Sequence, residues 1–163
     1  MTQSDFEARV AALTQTLYRV SAALLPRLCD RQDAVQSCIL LAWQNRRRLR
    51  DGGAFRPWIV RILINECHAI HRKNRRFVLT DAPEAPEASE AMGDAMATHL
   101  RDQALHEAVQ GLPEKHRLTV VLHYMEGASV REISAILRVP AGTVKSRLNA
   151  ARGMLRDALR EEV

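Results

Sequence analysis

Residues 80–90 read Thr-Asp-Ala-Pro-Glu-Ala-Pro-Glu-Ala-Ser-Glu and hold no large apolar side chain. Such a stretch cannot bury enough surface to offset the entropy of ordering it, and its two prolines favour extended backbone. It therefore cuts the chain into two parts, and each part must build its own core. Aromatic residues make up only 4% of the sequence while Ala, Leu and Arg are abundant, which favours helices over a β-sandwich or barrel. No apolar run approaches the roughly 18 residues that a membrane span needs. Residues 1–7 are polar and acidic, unlike a secretory signal. Three cysteines, Cys29, Cys38 and Cys67, form no CxxC pair. That pattern fits a reducing, cytoplasmic setting rather than a disulfide scaffold.

Charge follows the same division. Residues 1–80 carry 14 Lys and Arg against 6 Asp and Glu, a net +8. Residues 81–94 carry 5 acids and no base, and residues 95–163 carry 10 bases against 8 acids, a net +2. Two basic segments flanking an acidic strip suggest polyanion-binding modules on a tether, although solvated helix faces would give the same totals.

In the first block, Phe6, Val10, Leu13, Leu17 and Val20 recur at helical spacing behind a candidate cap at Ser4, and Pro26 ends the run. A second helix is expected from about Asp30 to Leu49, on Val35, Cys38, Ile39, Ala42 and Trp43, closing on Arg46-Arg47-Arg48. Asp51-Gly52-Gly53 breaks the chain, and a third helix is expected from near Pro57, on Trp58, Ile59, Ile62, Leu63 and Ile70. Both tryptophans fall on apolar stripes and so read as core rather than as exposed stacking platforms.

The second block is more specific. Leu100, Ala104, Leu105, Ala108 and Val109 form one amphipathic helix before Gly111 and Pro113, and Leu118, Val121, Leu122 and Met125 form the next before Gly127. Ser129 with Glu132 is a capping box opening a helix that holds Val130, Ile133, Ile136 and Leu137. After Arg138-Val139-Pro140, a last helix from near Ala141 buries Val144, Leu148, Ala151 and Leu155. Capped helix, short turn and second helix make a helix-turn-helix pattern. The outer face of the second helix shows Thr143, Lys145, Ser146, Arg147, Asn149 and Arg152, short polar groups first and longer donors after them, as a major-groove reader requires. A plain αα-hairpin with a basic face is the alternative.

Three motifs of this block, Leu112-Pro113-Glu114-Lys115-His116-Arg117, Glu126-Gly127-Ala128-Ser129-Val130-Arg131-Glu132-Ile133 and Val139-Pro140-Ala141-Gly142-Thr143-Val144-Lys145-Ser146-Arg147-Leu148, closely resemble region 4 of bacterial sigma factors of the extracytoplasmic-function (ECF) type. The first block resembles region 2 of the same family through Asp33-Ala34-Val35-Gln36, Ala42-Trp43, Phe55-Arg56-Pro57-Trp58, Arg61-Ile62 and Asn65. The two motif sets stand in the family's order and span nearly the whole chain.

The resemblance implies an all-α fold of two small helical domains, residues 1–79 and 96–163, joined by a flexible acidic linker at residues 80–95, with the second domain the helix-turn-helix. It implies binding to core RNA polymerase and to promoter DNA. Asp33, Gln36 and Leu40 would dock on the clamp helices of the largest polymerase subunit. Thr143, Lys145, Ser146, Arg147, Asn149 and Arg152 would read the upstream (−35) element. The loop at residues 50–55, with Asp51, Gly52 and Phe55, would hold a flipped non-template base beside Asn65. Arg61, His68, Arg72, Lys73, Arg75 and Arg76 would follow the opening (−10) strand. An anti-sigma factor, often membrane-bound, would hold the protein inactive, and no stable homo-oligomer is expected.

Several positions depart from the family's pattern: Ser37 stands where an acid is usual, Cys38 where a hydroxyl is usual, Leu41 for a common base, Ala69 for a frequent acid, and Arg138 for Gly or Asn. Cys67-His68 with His71 lacks the spacing of a metal site, and no cofactor is implied. No nucleophile–base pair, phosphate-cradling glycine loop or carboxylate pair supports an enzyme. The alternative function is a helix-turn-helix regulator that binds its operator unaided.

Overall fold

The computed structural model describes residues 1–77 and 96–161, without the side chains of 77 and 96–101. The acidic linker expected at residues 80–95 lies outside them, as does the side chain of Leu100. The described residues are helical without a strand, and they fall into two compact units.

The first unit holds α1 (Gln3–Leu24), α2 (Leu28–Asn45) and α3 (Phe55–Phe77). Thr2, not Ser4, caps α1: its Oγ1 accepts the Asp5 N–H at 3.2 Å. The earlier start leaves Ser4 inside the first turn. Helix α2 begins two residues ahead of the sequence expectation and tightens into a 3₁₀ turn at Arg46–Arg48. Helix α3 opens at Phe55, so Pro57 lies in its first turn, where its missing N–H has no intrahelical partner to lose.

Small residues bring α2 close to α3. Ala34, Cys38 and Ala42, spaced by four, are all fully buried against Ile59, Val60, Leu63 and Cys67, with Leu17, Val20 and Leu24 of α1 completing the core. The Cys38 thiol donates to the Ile59 carbonyl at 3.4 Å. Burial first, then Cys67 and Glu66 nearby, push its pKa up to about 12, so it stays protonated and serves as a donor. Asp30, 7% exposed, takes a hydrogen bond from Asn74 Nδ2 at 3.0 Å and an ion pair from Arg27 at 3.6 Å, fastening the start of α2 to the end of α3. His71 reaches the Leu24 carbonyl from α3. Phe6 packs 5.2 Å from Trp43 and 5.9 Å from Phe55, which lies 5.8 Å from Trp58. Both tryptophans are half-buried, at the margin of the core rather than inside it.

The second unit is built from α4 (Met96–Gln110), α5 (Glu114–Val120), most of α6 (Val130–Leu137) and α7 (Ala141–Glu161). Helix α5 runs into a π-turn at Val121–Met125 that closes at Gly127, whose φ of +64° suits glycine. Leu118, Val121, Leu122, Ile133, Ile136, Val144, Leu148 and Ala151 are buried. The capping box is present in full: Ser129 Oγ accepts the Glu132 N–H at 3.1 Å and Glu132 Oε2 accepts the Ser129 N–H at 3.0 Å.

Arg138 ends α6 in the left-handed region, with φ 55° and ψ 45°. Ser134 secures the turn by donating its hydroxyl to the Val139 carbonyl at 2.6 Å. The left-handed conformation costs an L-residue about 1–2 kcal/mol, and glycine's added unfolded-state entropy returns about 0.5–1 kcal/mol of that. Arg138→Gly is therefore expected to stabilise the protein by about 0.5–1 kcal/mol, read as a higher denaturant midpoint at unchanged slope.

Candidate nucleic-acid interface

Helix geometry sorts the candidate residues of each unit. On α3, Arg61, Asn65, His68, Arg72, Arg75 and Arg76 fall within an arc of about 100°, on the side away from Ile59, Leu63 and Cys67. Asn65, Arg72, Arg75 and Arg76 are exposed, Arg61 and His68 half-buried. Lys73 is exposed but lies to one side of that stripe. The result is a basic ridge with one amide in it, suited to following a phosphate backbone.

The loop before α3 is fixed by contacts that local sequence does not announce. Asp51 Oδ1 accepts the Gly53 N–H at 2.9 Å and starts a short 3₁₀ turn, Gly52–Ala54. Arg9, forty-three residues earlier, donates from Nη1 to the Gly52 carbonyl at 2.8 Å and lies 5.7 Å from the Phe55 ring centroid. A Cβ at Gly52 would stand 3.1 Å from Arg9 Nη2, so a bare glycine gives this guanidinium room. Asp51 and Gly52 are exposed. Phe55 is not available to a base as expected. It is 3% exposed, its ring edge-on to Phe6, and it anchors the loop to the core.

On α2, Asp33, Gln36 and Leu40 share an arc of about 60° opposite Ala34, Cys38 and Ala42. All three are exposed, Leu40 to 58%.

In the second unit, the outer face of α7 has two flanks. Lys145, Asn149 and Arg152 line one, Thr143 and Arg147 the other, and Ser146 sits between them. The ridge between the flanks, Gly142, Ser146, Ala150 and Gly153, is low, so the helix axis can approach a partner closely. Ser146 returns its hydroxyl to the Gly142 carbonyl at 2.9 Å. Arg147 is near enough to His116 that, after burial and Lys115, it helps lower the imidazole's pKa, so His116 is neutral at physiological pH. Arg152 is already engaged: Nε donates to the Tyr124 hydroxyl at 2.5 Å and Nη1 to Asn149 Oδ1 at 2.8 Å. Neither Arg9 nor Tyr124 stood out in the sequence. Arg9 is one charge on an exposed helix face, and Tyr124 lies within an amphipathic run like any surface aromatic.

Residues 10–77 match the Sigma-70 region 2 family and residues 102–155 the Sigma-70, region 4 family. The chain is similar to the RNA polymerase sigma-H factor of Pseudomonas aeruginosa, at 31% identity over 80% of this chain and 73% of that protein. It is similar to the ECF RNA polymerase sigma factor SigW of Bacillus subtilis, at 26% identity over 98% and 91%. Among solved structures, the sigma factor RpoE of Bartonella quintana, in complex with the anti-sigma factor NepR, superposes with a TM-score of 0.80 at 27% identity, covering 96% of this chain and 97% of that one. CnrH, solved with the cytosolic domain of CnrY, shares the fold with a TM-score of 0.74 at 22% identity, over 99% and 92%.

Proposed function

The chain belongs to the extracytoplasmic-function group of RNA polymerase sigma factors, and from that premise we propose how its two units divide the work of directing core polymerase to promoters. The observation that carries the proposal is the pairing of two unlike polar surfaces on one chain: a two-flanked helix face in a capped helix-turn-helix, and a basic ridge bearing a single amide beside a braced loop.

The first shape suits the major groove of duplex DNA. Helix α7 would read the −35 element with Thr143, Lys145, Ser146, Arg147, Asn149 and Arg152. The second suits a strand leaving the duplex. Asp51, Gly52 and Asn65 would receive a flipped −10 base, while Arg61, His68, Arg72, Lys73, Arg75 and Arg76 would hold its phosphates. Unstacking a base costs a few kcal/mol, so a site that holds it favours melting directly. Phe55 would serve from below, by fixing the loop. Residues 1–79 and 96–163 would act as separate domains joined through 80–95. RNA synthesis belongs to the polymerase, and the protein works where the polymerase is, in the cytoplasm. RpoE was solved in complex with an anti-sigma factor, and a second protein of that kind would restrain this chain.

Asp33, Gln36 and Leu40 would meet the clamp helices of the largest polymerase subunit. Wild-type protein should co-elute with core polymerase at one-to-one stoichiometry. Asp33→Arg with Gln36→Ala should weaken that complex while leaving thermal stability nearly unchanged, since surface changes away from caps and core move stability by only about 0.5 kcal/mol. Unaltered polymerase affinity in the double variant would remove α2 as the docking face.

A further inference from the structure

Arginine only donates, so the 2.8 Å contact from Arg152 Nη1 fixes which end of the Asn149 amide faces it: the oxygen. An asparagine reads adenine through both an N–H donor and an oxygen acceptor. Arg152 takes one of the two lone pairs of Oδ1 and holds the amide in one orientation, leaving Asn149 its two N–H donors and one acceptor site. Arg152 in turn uses Nε on the Tyr124 hydroxyl and one Nη1 hydrogen on Asn149, which leaves three of its five N–H groups on an exposed side chain. Lys145, on the same flank, also only donates. With two cations, Lys145 and Arg152, this flank carries a surplus of donors and positive charge, the profile of a phosphate contact.

Tyr124 is where this order begins. It lies on the π-turn at Val121–Met125, with its ring 4.8 Å from His123 and edge-on to it. His123 is itself held by a 2.9 Å contact between Nδ1 and the Ala128 carbonyl. The Arg152 guanidinium lies 5.7 Å from the tyrosine ring centroid. A chain of contacts thus runs from the π-turn through Tyr124 and Arg152 to Asn149.

We propose that Tyr124 is a positioning residue which, through Arg152 and Asn149, makes this flank of α7 a donor-rich clamp for DNA phosphate, leaving base reading to the flank of Thr143 and Arg147. The proposal rests on the reading of α7 as the duplex-binding helix. It assigns Asn149 a backbone contact where its residue type alone would suggest adenine, and it gives the exposed Tyr124 a task in DNA binding without a base contact of its own.

The test uses full-length protein assembled with core polymerase and a duplex selected from a random-sequence pool by the wild-type complex. Arg152→Ala should weaken binding about tenfold, and Tyr124→Phe, which removes only the hydroxyl and keeps the ring packed on His123, about threefold to tenfold, as expected for one hydrogen bond. Both losses should be the same for every single-base variant of the duplex, and both should come with a shallower dependence of affinity on salt. In the Arg152→Ala background, Tyr124→Phe should add nothing, because its effect passes through that side chain. Tyr124→Phe without effect, beside a weakened Arg152→Ala, overturns the positioning role alone. So do effects that simply multiply. A loss confined to one base pair overturns the phosphate clamp. Arg152→Ala without effect removes Arg152 from the DNA surface, and the proposal with it, whereas the duplex-binding role of α7 still stands or falls on Arg147.

Discussion

Arg147→Ala is expected to cost about 1–3 kcal/mol of discrimination at one base pair of the upstream duplex, with little change elsewhere. Arg147 stands on the flank of α7 away from Arg152, next to Thr143 and clear of the Tyr124 network. The buried Val144 and Leu148 flank it in sequence and set the helix on its core, so the substitution leaves the fold alone. Binding of the polymerase complex to a panel of single-base variants checks this. A uniform loss with a reduced salt slope would instead mark Arg147 as a phosphate contact.

Asn65→Ala is expected to leave upstream duplex binding intact and to abolish most strand opening. Asn65 is the one amide on the exposed ridge of α3, among arginines that can hold phosphates but do not accept hydrogen bonds from a base. Permanganate reactivity of unpaired thymines near the start site should fall sharply. A template with that region already unpaired should recover much of the activity, because the unstacking cost has been removed. The same template should do less for Arg147→Ala, whose defect lies upstream. Equal failure of both variants on both templates would mean that the two units do not divide the work in this way.

What the sequence discloses about this protein is what repeats locally. Helical spacing located the buried faces of α1 to α3. Ser129 with Glu132 located the start of α6 to the residue, because a capping box is a contact between neighbours. At Arg138 the signal came from the resemblance: Gly or Asn is usual there, residues that tolerate a left-handed φ, and Arg138 has a φ of 55°. Contacts between distant residues left no such trace. The Arg9 hydrogen bond to Gly52 joins two elements whose spacing in sequence says nothing of their meeting. The resemblance puts Phe55 in the base-holding loop, yet its ring is the piece of that loop that packs into the core beside Phe6 and Trp58. Arg152 and Asn149 were correctly placed on the outer face of α7. Their mutual hydrogen bond, which decides what each can still offer to DNA, depends on rotamers and on Tyr124, twenty-eight residues away from Arg152.

On the function proposed above, this chain opens promoters as part of a polymerase complex and is not a DNA-binding protein acting by itself. Permanganate footprinting on a duplex promoter, with core polymerase alone, with this protein alone and with both, tests it most directly. Reactive thymines upstream of the start site should appear only when both are present. Tight, sequence-specific protection by the protein alone, with no reactive thymines when polymerase is added, would contradict it.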